Sequence, residues 1–347
     1  MAYTVIDKST AHFTPKLWSG NSSSQAINGL EFAPNWVWGK NRSGTQPHQL
    51  LDTTRGANNI LSSNTSTGNV VDSQILNSFN SDGFTLGSQD QLNDTGQTYV
   101  GWNWKAGTTS GIATDATTTI TPSSYSFNQT AGFSIIRYSG NGVDGAYLPH
   151  GLGASPKVMI VKRLNDNGED WYMYNTALGN QKYMKLNSAA AISGTDGMWG
   201  SYTPDSVNMK MSNDAQIGAS GGTFIMYCFA DIQGYSKISS YIGSGNTNGT
   251  FVYTGFKPSW VLIKNTAASE AWFLYDNKRG VNGAMKALFP DENAADGGAA
   301  DNIDLLSNGF KLRTAGAILN SSGAEFIYMA FAENPFVTST GIPGLAR

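Results

Sequence analysis

Apolar residues in this chain fall into short runs separated by Gly, Asn, Ser and Pro. The two longest, FIMYCFA at 224–230 and FIYMAFA at 326–332, are seven residues each. A helix crossing a bilayer needs about 20 apolar residues, so no spanning helix is expected. The other runs are shorter, apolar throughout or alternating, which is the pattern of β-strands. A helical period is hard to find anywhere, and one short helix is expected near Lys278–Leu288.

The runs recur in a fixed order. A proline turn entering an apolar strand reads GLEFAPNWVWGKN at 29–41, GLGASPKVMIVKR at 151–163 and TGFKPSWVLIKN at 254–265, anchored on Pro34, Pro156 and Pro258. A polar turn and short strand follow, NSDGFTLG at 80–87, SNGFKL at 307–312 and, more weakly, MSNDAQIG at 211–218. Then Gly-x-x-aromatic opens a strand in GQTYVGWNWKA at 96–106, GGTFIMYCFAD at 221–231 and GAEFIYMAFAE at 323–333. Pro34 to Gly96 is 62 residues; Pro156 to Gly221 and Pro258 to Gly323 are 65 each. A strand end running into a Gly/Asn/Ser turn precedes each proline: LWSGNSSS at 17–24, RYSGNGVD at 137–144 and YIGSGNTN at 241–248. Constant order and spacing define a unit of about 100 residues used three times.

Short strands without intervening helices predict an all-β fold of three tandem antiparallel β-sandwich repeats. The expected division is repeat 1 at 1–107, a Gly/Thr/Ser-rich linker at 108–124, repeat 2 at 125–234 and repeat 3 at 235–347, packed against repeat 2. The linker reads as an extended connector, which would leave repeat 1 hinged.

Composition narrows the function. Only 14% of the 347 residues are charged, against about 25% in an average soluble protein. Aromatics reach 12%, with nine Trp, which excludes global disorder. A net charge of −3 with no basic run gives no footprint for nucleic acid. A single cysteine, Cys228, excludes an intramolecular disulfide and reads as a core residue. The first ten residues, MAYTVIDKST, lack a basic region leading into an apolar stretch, so no secretory signal is expected.

The YSGNG-like turns, the PxWVxIKN strands, NSDGFTLG, TYVGWNWKAG and FIYMAFAENPF together resemble a repeat family abundant in structural proteins of tailed phages, especially those of marine bacteria and cyanobacteria. The resemblance spans roughly 10–107 and 130–336. It implies lectin-like (concanavalin-like, jelly-roll-like) sandwiches and a virion structural protein, surface-exposed on the particle and made in the bacterial cytoplasm. A tail fibre or tail-associated component is the leading role, with a capsid decoration or head-fibre protein as the alternative. The partners expected are other virion proteins, host-surface glycan and, because aromatic strand faces favour obligate contacts, further copies of the chain (a trimer, for example); the charge argues against nucleic acid and the short apolar runs against membrane insertion. MSNDAQIG departs from the pattern by lacking the Gly-Phe turn.

Candidate chemistry is sparse. The histidines His12, His48 and His150 have no nucleophile elbow nearby. A carbohydrate-active hydrolase, the reading from another class, would need two carboxylates facing one groove. No such strand pair occurs, and Asp166, Glu169 and Asp170 read as a solvated turn. The protein is therefore not expected to be an enzyme, and no cofactor is implied except calcium. The loop at 289–306 carries Asp291, Glu292, Asp296, Asp301 and Asp304, the chain's best candidate for an oxygen-ligated calcium ion. Trp36 with Trp38, and Trp102 with Trp104, each place two rings on one side of a strand. Three readings stand for them: a bulky core, a protein interface, or a platform on which a glycan stacks.

Overall fold

The structure, a computed structural model, describes residues 3–194, 197–199, 202–298 and 300–344. It is all-β, with several antiparallel sheets. Helix among the described residues is limited to Asp90–Asn93 and two 3-10 turns, Ser9–Ala11 and Thr176–Leu178.

Three sheets share one strand order. In the first, Phe13–Ser19 pairs with Thr98–Trp104, then come Trp36–Asn41 and Gln49–Asp52. The second runs Phe133–Ser139, Thr223–Phe229, Val158–Arg163, Tyr172–Asn175, with Ser124–Asn128 and Met184–Lys185 added at its two edges. The third runs Ser236–Ile242, Glu325–Pro335, Phe256–Asn265, Phe273–Asp276. Registers agree between them. Trp36 opposes Trp104 and Trp38 opposes Trp102; Val158 opposes Phe229 and Ile160 opposes Tyr227; Trp260 opposes Phe331 and Leu262 opposes Met329.

Each of these sheets is covered on both faces, which is why its strands read as unbroken apolar runs. In FIMYCFA, Ile225, Tyr227 and Phe229 enter one core while Phe224, Met226 and Cys228 enter another. The first of these cores is common to the whole chain: it gathers Trp36 and Trp104, Phe133 and Phe229, and Trp260 and Phe331. The outer faces build three separate cores, each shared with a smaller sheet. Those smaller sheets are Gln25–Asn28 with Leu76–Asn80 and Gly83–Leu86, Ala146–Pro149 with Asn208–Met211, and Phe251–Tyr253 with Ile303–Leu306 and Gly309–Leu312.

The common core overturns the expected hinge. Residues before 107 pack directly against both later segments, with Phe13 at 5.1 Å from Phe331 and Trp36 at 4.4 Å from Tyr227, centroid to centroid. Nor is 108–124 a free connector. Thr108 bridges Phe127, the Ile120 amide donates to the Tyr147 carbonyl at 2.9 Å, and Ile120 is buried in the second segment's outer core. Two isoleucines, Ile112 and Ile120, anchor a stretch whose polar composition suggested a tether. The short helix expected at Lys278–Leu288 is also absent. Val281 bridges Ala284 and Leu288 bridges Leu274, and the Asp276 carboxylate ties down the amides of Lys278 and Arg279 in a turn.

One glycine position is fixed by close approach. A Cβ on Gly20, Gly140 or Gly243 would lie 2.2, 2.3 and 2.2 Å from the carbonyl oxygens of Asp94, Ala219 and Ser321. Each carbonyl lies two residues before the glycine that opens the last strand of its sheet. Gly140→Ala should therefore cost about 2 kcal/mol or more by forcing backbone apart. Gly168→Ala, whose Cβ would meet nothing closer than 3.5 Å, should stay within about 0.5 kcal/mol. Urea unfolding of the two variants checks the contrast.

Candidate functional site

Trp36, Trp38, Trp102 and Trp104 are each at most 1% exposed. They face the common core, so they form neither a glycan platform nor a surface contact; the bulky-core reading is the one the packing gives. Trp36 lies 4.5 Å from Trp104, and Trp104 meets Trp260 edge-on at 5.7 Å and 88°. The aromatic faces that pointed to a homo-oligomer close inside a single chain. The indole N–H groups of Trp36, Trp104 and Trp260 have no hydrogen-bond acceptor, a polar cost carried at the centre of the core.

Around that centre the segments hand hydrogen bonds to one another in a cycle. Trp171 Nε1 of the second segment donates to the Ser62 carbonyl of the first at 2.8 Å. Trp272 Nε1 of the third donates to the Lys185 carbonyl of the second at 3.0 Å. His48 of the first contacts the Phe289 carbonyl of the third through Nε2 at 3.0 Å. Two residues beyond each acceptor, Asn64, Asn187 and Asp291 accept the backbone N–H of His48, Trp171 and Trp272. A backbone rung repeats the pattern: Asn69 N–H to Leu164 C=O, Ile192 N–H to Thr266 C=O and Asp296 N–H to Arg42 C=O.

His48 is neutral for a geometric reason. Its Nδ1 accepts the indole N–H of Trp38 at 2.9 Å, which leaves the proton on Nε2 to donate to Phe289. A second proton would face the Trp38 N–H. Burial, then the nearby Lys40 charge, hold the imidazole well below its usual 6.5. His150 is likewise buried, accepting the Leu152 amide on Nδ1 at 3.2 Å, and burial pulls it down to about 4.

Two seams carry a buried ion pair, and the third does not. Arg55 Nε donates to Asp52 Oδ2 at 2.5 Å, and Tyr227 of the second segment donates to the same oxygen at 2.8 Å. Arg279 Nε donates to Asp276 Oδ2 at 2.6 Å, and Trp102 Nε1 of the first segment reaches that oxygen at 2.9 Å. At the matching places of the remaining seam stand Asn175, Leu178 and Met329. Carboxylate, cation and aromatic donor are all missing there together, and a small void lies between Asn175, Met173, Leu262, Trp272 and Met329.

Three lysines complete the scaffold. Lys40, Lys162 and Lys264 are buried six residues after the anchor prolines. Lys40 Nζ donates to the carbonyls of Asn41, Gly44 and Asn293; Lys162 to Ser66 and Glu169; Lys264 to Asn265 and Ala268. Burial pulls each down to about 8. Neither the lysines nor the D-x-x-R-G pairs at 52–56 and 276–280 were singled out from the sequence. The recurrence of both motifs was the signal that would have found them.

The acidic loop does not gather its carboxylates at one point among the described residues. Asp296 bridges Arg42 and Arg279 at 2.9 Å each, Asp304 pairs with Arg313 at 2.5 Å, and Asp291 is buried against the Trp272 amide. Burial raises Asp291 to about 6. Glu292 and Asp301 join no cluster, and no group of three metal-ligating side chains occurs among the described residues. Asp296 and Asp304 are drawn apart because they pair with arginines from different parts of the chain. In the turn at 165–170, Asp166 lies 3.7 Å from Arg163 and Asp170 pairs with Lys185 at 2.7 Å. Cys228 is fully buried, and burial pushes its thiol up to about 12.

The surface offers a different candidate. A groove of about 420 Å³ opens between the N-terminal residues and the third segment, lined by Tyr3, Asp231, Gln233, Lys237, Tyr253 and Gly255. Tyr3 donates to the Gly255 carbonyl at 2.7 Å, and its hydroxyl lies 3.4 Å from that of Tyr253. Gly255 has φ +83°, a conformation that favours glycine, and a Cβ there would sit 2.7 Å from the Tyr3 hydroxyl. Asp231 is held by Lys237 Nζ at 2.9 Å and by the Ile238 amide at 2.7 Å.

These features define an all-β protein whose three principal sheets close on one aromatic core, with His48, two indoles and two buried ion pairs bonded across its seams. The chain belongs to the family described as a domain of unknown function (DUF7483), whose model matches residues 8–335. No curated protein and no solved structure matches it.

Two outcomes follow from the seams. Arg55→Leu should cost about 3–5 kcal/mol, because Asp52 stays buried without its cation. Adding Asp52→Asn, which copies Asn175 and Leu178, should restore part of that loss in urea unfolding. For His48, the folded state excludes a proton that the unfolded chain binds below about 6.5. Its contribution is therefore intact above that pH and lost as the pH falls. The double variant His48→Trp, Trp38→Leu, which copies Trp272 and Leu262, should show a shallower fall in urea midpoint between roughly pH 7 and 5 than the native chain.

Proposed function

We propose that the chain consists of three tandem antiparallel β-sandwich repeats, lectin-like in build, and serves as a structural protein on the surface of a tailed-phage virion. It works by binding rather than by catalysis. The observation that carries the repeat reading is the cyclic exchange among matching positions. Ring N–H groups 48, 171 and 272 meet the carbonyls of 289, 62 and 185, each from the neighbouring segment. Strand order and register in the three main sheets agree with it. The virion role rests on the sequence resemblance. It is supported by the use of the chemistry-bearing groups: His48, His150, the two Asp–Arg pairs and the three lysines all serve packing. A scaffold of this kind suits a component that must stay folded outside a cell and meet other virion proteins or host-surface glycans through its loops.

Immunogold labelling of intact particles encoded by the same genome should place the protein on the tail, the leading role. Label on the head would replace the fibre with a decoration protein. Absence from purified particles would overturn the virion reading. Incubation with host envelope polysaccharide should release no reducing ends; release would turn the reading to the hydrolase.

A further inference from the structure

We propose that the groove between Tyr3 and Tyr253 binds a neutral, polyhydroxylated ligand of the oligosaccharide class. This rests on the binding half of the reading above and gives it a place. The groove's volume of about 420 Å³ lies in the range of small-ligand sites. Tyr253 is 56% exposed on its edge strand, and Tyr3 crosses beside it. A ring bearing a hydroxyl offers a sugar an apolar face and a polar edge at once.

The charges select among ligand classes. Asp231 and Lys237 are already paired at 2.9 Å, so an anionic or cationic ligand would have to break that pair and finds no net charge of opposite sign. An apolar ligand would bury both ions without replacing their water. Hydroxyl groups can do what neither can. They donate to the Asp231 carboxylate and accept from the Lys237 ammonium while the ion pair stays intact, and the exposed Gln233 amide both donates and accepts. The polar groups sit on fixed supports. The Ile238 amide holds Asp231, and the Tyr3 hydroxyl is tied to the Gly255 carbonyl, so little order must be gained on binding.

The test uses the full-length protein and amide chemical shifts, titrated separately with maltohexaose, cellohexaose and chitohexaose up to roughly 10 mM, where millimolar affinities saturate. At least one should shift the Gly234 and Gly255 amides. Tyr253→Ala should weaken that binding about tenfold. Phe251→Ala, exposed on the same strand but outside the groove, should leave it unchanged. Both residues are surface side chains, and an unchanged urea midpoint confirms that each variant folds. The proposal is overturned if none of the three sugars moves the groove amides, if binding survives Tyr253→Ala, or if an anionic heparin hexasaccharide binds there more tightly than the neutral sugars. Because the titration is done on the isolated protein, its failure leaves the particle location untouched.

Discussion

The architecture depends on sheets that have no solvent face. A strand covered on one side can alternate apolar and polar residues; a strand covered on both cannot. Once Thr98–Trp104, Thr223–Phe229 and Glu325–Pro335 are apolar on two faces, each needs an outer sheet on one side and the other segments on the other. None of the three main sheets can be stable in water alone, since its inner face exists only where the other two cover it. The buried ion pairs and the ring-to-carbonyl bonds follow from this constraint. Charged groups trapped in such a core are costly unless partnered, and each aspartate here takes its arginine from its own segment and a further donor from across the seam.

The seams resemble one another without being identical. Two use an aspartate, an arginine and an aromatic donor from the neighbour, while the third uses Asn175, Leu178 and Met329. Removing only one member of a buried charged set is costly, whereas removing all of them can be nearly neutral. That asymmetry explains why the three substitutions occur together. It also fits the small void at this seam, where Met173 and Met329 fill space less regularly than an ion pair and an indole would.

Much of the fold was legible. Short apolar runs bounded by Gly and Pro gave the all-β class, and the prolines and glycines marked the strand entrances. The Trp pairs left core, interface and glycan platform open, because spacing puts two rings on one side of a strand without saying what covers that side; burial settles it as core. What could not be read was which charges meet. Asp296 looked like part of a calcium loop because its partner Arg42 lies 254 residues away. The stretch at 108–124 looked like a tether because two isoleucines among Gly, Thr and Ser carry little weight in composition, yet Ile120 and Ile112 pack it against a core. The surface groove was out of reach for a similar reason. Its tyrosines are 250 residues apart, and neither sits in a motif.

The contact between Asp7 and Ser339, where the carboxylate accepts the backbone amide at 2.6 Å, brings the two ends of the described chain together. Hydrogen bonds also pass around the seams as a ring. The covalent order of the segments is then one of several that would serve. Among the described residues the three segments close a ring opened at one point, and each of them has the other two as neighbours. Open arrays lose stability unit by unit from their ends; a closed one has no such starting place, so loss of any one sector should release the other two together.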